Sequence, residues 1–353
     1  ATPRASATGA VALAVYPALI GVYGLARAFP GESSLFFGGV AMMAIGAAFA
    51  CAEDDLRRAM TYSLLTQIGI AIAAIGIGSP QAIAGAASHA FATIFSYALI
   101  LMALGAFVHK YGTASASALA GAGRAAPVTT ALLCVGCLSA AAFPGFVAFA
   151  SLAVIGDVAT PYPLLTWALL IGSAAAGVHT ILRPALALLT PGPAKSSESV
   201  FPMLPAMAIA AFLCLVVGLA PGWLYGMTPP LPISFNPFSG AFPGRHLSAL
   251  GAGVAVYAGL RVLRIAPRER RLRVLDVDAL YRGPLSGIGR WTGVVMLRLY
   301  GTWQAASAAL AEWLSALAAR FTRAGDRPYA DAGAGAAIFV ATTVIIILIS
   351  AQS

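Results

Sequence analysis

Few side chains in this sequence can take up or release a proton, and some of those few stand inside long apolar runs. His89 lies in Ser88-His89-Ala90-Phe91, a segment that continues through Thr93, Ser96 and Tyr97. Gln67 belongs to Thr61-Tyr62-Ser63-Leu64-Leu65-Thr66-Gln67-Ile68-Gly69, just after a charged corner, Glu53-Asp54-Asp55-Leu56-Arg57-Arg58. His179 and Arg183 are four apart and share a helix face. An imidazole changes charge near neutral pH, and an ionisable residue deep in an apolar helix is a functional candidate by default. The chemistry open to such a set is ion or proton transfer along side chains. Glu53, Asp54, Asp55, Arg57 and Arg58 are expected at one rim, with the hydroxyls and the Gln67 amide pointing into a bundle. His89, Thr93 and Tyr97 are expected at mid-depth, and His179 with Arg183 toward the other rim. Two plainer readings stand beside these. His89 could be a neutral imidazole hydrogen-bonded inside the bundle, and a basic pair near a helix end is expected to snorkel to the interface.

The elements that must carry these residues are membrane helices. Of 353 residues, 60% are hydrophobic and 9% charged, whereas a water-soluble domain carries about 25% charged residues. Apolar stretches near 20 residues recur, enough for a hydrocarbon core about 30 Å thick. Only helices satisfy their own backbone at that depth, and the ten-residue alternation of a barrel is missing. The fold class expected is therefore all-α integral membrane, a bundle of about ten crossings. They run over Gly9–Phe29, Leu35–Cys51, Arg58–Gly78, Ala82–His109, Pro127–Phe143, a helix ending near Val158, then a run to Leu189, Met203–Trp223, Ser248–Leu263 and Gly333–Ser350. Pro17 should kink or break the first, and Pro144-Gly145 should break the chain after the fifth.

Several segments resemble one family. Asp55-Leu56-Arg57-Arg58 with Thr61-Tyr62-Ser63 and Gln67-Ile68-Gly69 resembles the Asp-Leu-Lys-Arg, Ala-Tyr-Ser-Ser, Gln-x-Gly segment of antiporter-like membrane subunits. That family is shared by respiratory complex I, membrane-bound hydrogenases and Mrp-type cation/proton antiporters, and the likeness is nearest to the Mrp-type members. Gly21-Val22-Tyr23-Gly24-Leu25-Ala26-Arg27 is similar to the end of the family's broken seventh helix, and His89-Ala90-Phe91 to the opening of its tenth. The resemblance implies lysines on broken helices as relays. Here Leu19 stands at one such position, Leu152 replaces the lysine or glutamate of the twelfth helix, and Thr93 or Tyr97 stands where a lysine follows the histidine. It also implies that the chain matches helices seven to fourteen plus two, with one complete five-helix repeat of an inverted-repeat fold. The absence of an initial methionine suits a trimmed or partial chain.

The domain division expected is an antiporter-like core over 1–226, a loop and extra crossing over 227–263, a basic amphipathic segment over 264–330 and a last crossing over 331–353. The net charge of +9 is concentrated, since residues 261–330 hold twelve arginines against five acids. This points to anionic headgroups near 264–330, not to nucleic acid. From Ile288 to Phe321 apolar residues recur every three or four positions, an amphipathic helix that either lies on the membrane or clamps a neighbouring subunit. With each helix counted as one crossing, that segment and the loop after Arg183 share a face, which the positive-inside rule makes cytoplasmic in a plasma (inner) membrane. Arg57, Arg58, Lys110 and Arg124 then fall on the opposite face. Cys134 and Cys137 form a C-x-x-C within one apolar helix, expected to be core packing and not a metal or redox site. No cofactor is expected, and with no nucleophile–base set no catalysis by the chain alone. Three readings remain open: a proton- or cation-translocating subunit of a multisubunit complex, a non-conducting scaffold of such a complex, and an unrelated carrier or membrane enzyme.

Overall fold

A computed structural model of the chain describes residues 7–192, 203–228, 235–264 and 284–323. Among them every regular element is a helix, apart from an isolated bridge pairing of Asp55 with Ser115. The chain divides into two units, 1–272 and 273–353. The expected last crossing, Gly333–Ser350, and the basic run after Arg264 lie outside the described residues.

In the first unit α1 (Ala7–Ala28), α2 (Ser33–Ala52), α3 (Leu56–Ile77) and α4 (Pro80–Tyr111) form successive antiparallel crossings. Their ends follow from local chemistry. Asp55 caps α3 by accepting from the backbone N–H groups of Arg57 and Arg58 at 2.9 and 3.1 Å. Gly78, at φ 78°, closes the same helix in the left-handed conformation that a side chain resists. Ser79 caps α4, with Pro80 following at the position where a missing N–H is harmless. The small helices α5 (Ala122–Ala125) and α6 (Pro127–Ala140) follow, then α7 (Val147–Val158). Next, α8 (Pro163–Ala176), a π-helical turn (Gly177–Leu182) and α9 (Arg183–Leu189) form one continuous rod. Then come α10 (Met203–Leu219), α11 (Pro221–Gly226) and α12 (Phe242–Val262).

Among the described residues, five runs are long and apolar enough to cross a membrane: Val11–Ala28, Ser33–Ala52, Leu56–Ile77, Pro80–Tyr111 and Pro163–Leu189. Side chains such as Ile20, Trp167, Phe212 and Trp223 stand on the outside, each more than three-fifths exposed. In water this surface would aggregate, and against lipid it is the expected one. Because lipid is as apolar as leucine, helix association rests on close packing. At the α2–α3 contact a Cβ added to Gly39 would lie 2.4 Å from the Ala73 backbone nitrogen, so the two backbones touch.

Three expectations are corrected. First, of the kink or break expected at Pro17 the break does not occur, since α1 runs on through it, and Leu19 is half-buried at the edge of the core. Second, α6 and α7 are halves of one passage. At about 1.5 Å per residue their 14 and 12 residues reach only about 21 and 18 Å. The break between them has Ala142 at φ 52° and Gly145 at φ 93°; Ala141, Ala142 and Phe146 are buried in protein, where irregular backbone is tolerated, while Phe143 is 41% exposed. Third, the crossing count changes with it, and so does the distribution of charge. Arg183 binds carbonyls at the end of α2, and Arg124 is carried by α5, which packs on α9. Arg57, Arg58, Lys110, Arg124, Arg183 and Arg261 therefore share one rim, not two. The other rim holds Arg27, Glu32, Asp157 and Arg245, with Gln81 donating to Asp157 at 3.3 Å.

The second unit contributes α13 (Pro284–Arg323), a single helix of 40 residues, about 60 Å long. It is amphipathic as expected, and Trp291, Trp303 and Trp313 are exposed on it.

Candidate functional site

The buried polar side chains of the first unit line up across α3, α4, the break and the α8–α9 rod. Ser63 and Gln67 are one turn apart on α3, and His89 and Tyr97 two turns apart on α4, so each pair shares a face. The π-helical turn adds a residue to the rod and so carries His179 to the interior side. His179 Nε2 lies 2.8 Å from Ser63 Oγ, and that hydroxyl lies 2.6 Å from the Tyr97 hydroxyl. Gln67 Oε1 is 2.9 Å from His89 Nε2, and His89 Nδ1 is 3.0 Å from Ser151 Oγ. All of these side chains are under 9% exposed.

Proton positions follow from the partners. Gln67 Nε2 donates to the Ala140 carbonyl at 3.3 Å, which orients the amide and leaves Oε1 as the acceptor. His89 Nε2 therefore carries a hydrogen. Ser151 has one proton and two uses for it, His89 Nδ1 or the Ala148 carbonyl at 3.0 Å. With a neutral ring the serine donates to Nδ1. When the ring takes a second proton, Nδ1–H donates to Ser151, whose own proton turns to Ala148. Both charge states of His89 are thus hydrogen-bonded, which matters because an unsatisfied buried group costs about 1–3 kcal/mol. Ser63 and Tyr97 each accept and donate, so the direction of their bonds reverses by hydroxyl rotation alone.

The charged corner does other work. Asp54 accepts from Ser115 Oγ at 2.6 Å, and Asp55 is the cap of α3. Glu53 is fully buried, 3.4 Å from Arg58, and accepts from the Asp55 backbone at 3.3 Å. Burial pushes its carboxyl above the ordinary range, against the pull of the Asp55 N–H and the Arg58 guanidinium. Arg57 is also buried, at the head of α3. Arg183 binds the carbonyls of Ala50 at 2.9 Å, Cys51 at 3.2 Å and Glu53, closing the open end of α2.

Set against the expectations, Gln67, His89, Tyr97 and His179 come together. His179 and Arg183 are corrected twice: both are buried, with no snorkelling, and they stand at the same rim as Glu53. Thr93 turns its hydroxyl to its own helix, onto the carbonyls of His89 and Ala90, and joins no relay. Leu152 is buried beside Ser151. Cys137 is inside, while Cys134 is exposed on the bundle surface. Ser151 and His246 escaped the sequence reading. Ser151 adjoins Leu152 and has no titratable side chain to announce it. His246 stood just before the ninth crossing as expected, and the observed helix begins six residues earlier and takes it inside.

Residues 4–178 match the family described as NADH:quinone oxidoreductase/Mrp antiporter, TM. A stretch of 97 residues, 26% of the chain, is 34% identical to NAD(P)H-quinone oxidoreductase subunit 5, chloroplastic, of Lolium perenne and covers 13% of it. Over 72 residues, 20% of the chain, identity to the same subunit of Chloranthus spicatus is 35%, covering 9% of it. Among solved structures, the Mrp complex from Dietzia sp. DQ12-45-1b aligns with 81% of the chain and 33% of its own, at TM-score 0.57 and 24% identity. The membrane-bound sulfane sulfur reductase, an archaeal respiratory membrane complex, aligns with 91% and 57%, at TM-score 0.54 and 21% identity. These two structures share the fold, and every relative named is much longer than the part this chain matches. The broken α6–α7 passage and the buried His89 both lie in the matched segment, and across residues 4–178 this multi-pass membrane chain belongs to the antiporter-like family that complex I and Mrp antiporters share.

Proposed function

We propose that the chain is an antiporter-like subunit of a multisubunit membrane complex and carries protons, alone or in exchange for a monovalent cation, through its buried polar chain. The observation that carries this reading is two hydrogen-bonded runs at membrane depth, His179–Ser63–Tyr97 and Gln67–His89–Ser151, brought side by side by Ser63 and Gln67 one turn apart on α3. A proton entering near Arg183 would be taken up at His179 and passed by rotation of Ser63 to Tyr97; the Gln67 amide cannot carry it, so it would cross to His89 through water and be received at Nδ1 by way of Ser151, both charge states of that ring having partners. Hydroxyls and imidazoles suit proton transfer, and Gln67 keeps His89 in the tautomer that leaves Nδ1 to accept. Coupling to electron transfer from NADH or a hydrogenase would come from other subunits. The gathering of Arg57, Arg58, Lys110, Arg124, Arg183 and Arg261 at one rim supports a cytoplasmic placement of that rim in a plasma (inner) membrane. The amphipathic 264–330 segment would then meet anionic headgroups on that side.

Leu19 and Leu152 favour a second reading, a scaffold that keeps the fold without conducting. Proton flux separates the two. The complex, reconstituted in sealed vesicles with a pH-sensitive dye inside, is compared with its His89→Ala variant. We expect flux in the wild type and its loss in the variant. Equal flux in both removes His89 as a relay, and no flux in either supports the scaffold.

A further inference from the structure

Beyond the matched segment, α12 places one more buried imidazole against the same broken passage. His246 is 2% exposed. Its Nε2 lies 3.2 and 2.9 Å from the carbonyls of Ala141 and Ala142, next to the Ala140 carbonyl that holds Gln67. A carbonyl only accepts, so Nε2 carries a hydrogen. Nδ1 lies 2.8 Å from Ser173 Oγ, and that hydroxyl has a second acceptor, the Leu169 carbonyl, at 2.7 Å. This repeats the arrangement at His89: Nε2–H pinned on an amide oxygen, and Nδ1 facing a serine with an alternative carbonyl. His246 can therefore gain and lose a proton with every polar atom partnered in both states.

Two cavities flank it. One, of about 20 Å³, is lined by Thr66, Gln67, Ala140, Ser173 and His246, among others. The other, also about 20 Å³, is lined by Thr166, Ser173, Arg245 and His246, among others. Each has room for a water, which needs about 10–15 Å³ of such space and polar partners. Leu169, Ser173 and His246 line both, and Ser173 and His246 are the polar groups shared between them. The groups packed around the ring are Gln67 and Thr66 of α3 across the inner cavity, Phe149 of α7, Ser173 of α8, and Phe242 and Arg245 of α12. Arg245, half-buried at the rim opposite Glu53, is the charged one among them.

We infer that His246 is the last proton relay of the passage, joining the Gln67–His89 pair to the rim at Arg245. This rests on the conducting reading above. Water in the inner cavity gives a proton to His246 Nδ1 by way of Ser173. The resulting imidazolium returns it through the same serine to water in the outer cavity. Only O–H and N–H bonds form and break, and no electron is exchanged. His246 takes the part of a titratable station at the break, where Leu152 provides none.

The test uses the reconstituted complex, with internal pH followed for wild type, His89→Ala, His246→Gln and Ser173→Ala. Glutamine can still donate an N–H to Ala141 and Ala142 but cannot change charge. A structural role is therefore rescued and a relay is not. We expect normal assembly and at least about a tenfold loss of flux in His246→Gln, a barrier increase of about 1.4 kcal/mol. Wild-type flux in His246→Gln, with flux lost in His89→Ala, overturns this inference and leaves the conducting reading standing. No flux in the wild type overturns both. Should His246→Gln fail to assemble, Ser173→Ala leaves the ring and its carbonyl bonds in place: reduced flux with an altered pH dependence supports the relay, and unchanged flux and pH dependence overturn it.

Discussion

Tyr97→Phe removes one oxygen from the middle of the polar chain and little else. The ring stays packed in the α4 core, where Tyr97 is fully buried, and phenylalanine fills nearly the same volume. Ser63 keeps its 2.8 Å bond to His179, so the loss of stability should be that of one net hydrogen bond, about 0.5–1.5 kcal/mol. Transport is hit harder. The hydroxyl ends the hydrogen-bonded run His179–Ser63–Tyr97. Without it a proton leaving Ser63 must pass a point with no partner, and an unsatisfied buried group costs about 1–3 kcal/mol. At 1.36 kcal/mol per decade that lowers flux by about 5- to 150-fold. The assay is dye-reported proton uptake by vesicles holding equal amounts of assembled complex, with Tyr62→Phe as control, since Tyr62 is only half-buried and packs on Phe49. Wild-type flux in Tyr97→Phe, at normal assembly, would refute the claim that protons travel along this chain.

Two further outcomes concern the charged corner. The Glu53 carboxyl has a folded-state value raised above its ordinary 4.5 by burial, so the stability tied to its protonated form is full below that value and lost as pH rises through the folded-state value. Glu53→Gln has no proton to lose, and its unfolding midpoint should gain on the wild type as pH climbs through that window; a gap that stays constant with pH would contradict the assignment. Arg183→Lys keeps the charge but cannot span the carbonyls of Ala50, Cys51 and Glu53, and should cost about 2 kcal/mol in detergent melts. An unchanged midpoint would show that the clamp on α2 adds nothing.

The apolar runs, the Pro144-Gly145 break and the hydroxyl face of α3 were legible in the sequence, because each rests on near neighbours in the chain. Membrane helices close their hydrogen bonds within the segment, so their extent and type are local properties. The family likeness was legible for the same reason, being carried by short runs such as Asp55-Leu56-Arg57-Arg58. Tertiary structure alone decided which polar groups meet. Ser63 finds His179 across 116 positions of chain and His246 finds Ala142 across 104, distances over which no periodicity operates. It also decided that α6 and α7 share one passage, which moved Arg183 to the rim of Glu53, and that a π-helical turn carries His179 inward. The physical reason is common to all of these. In a bundle without a hydrophobic drive between helices, partners are selected by close backbone approach and by the need to pair buried polar atoms, and both are properties of the assembled pack.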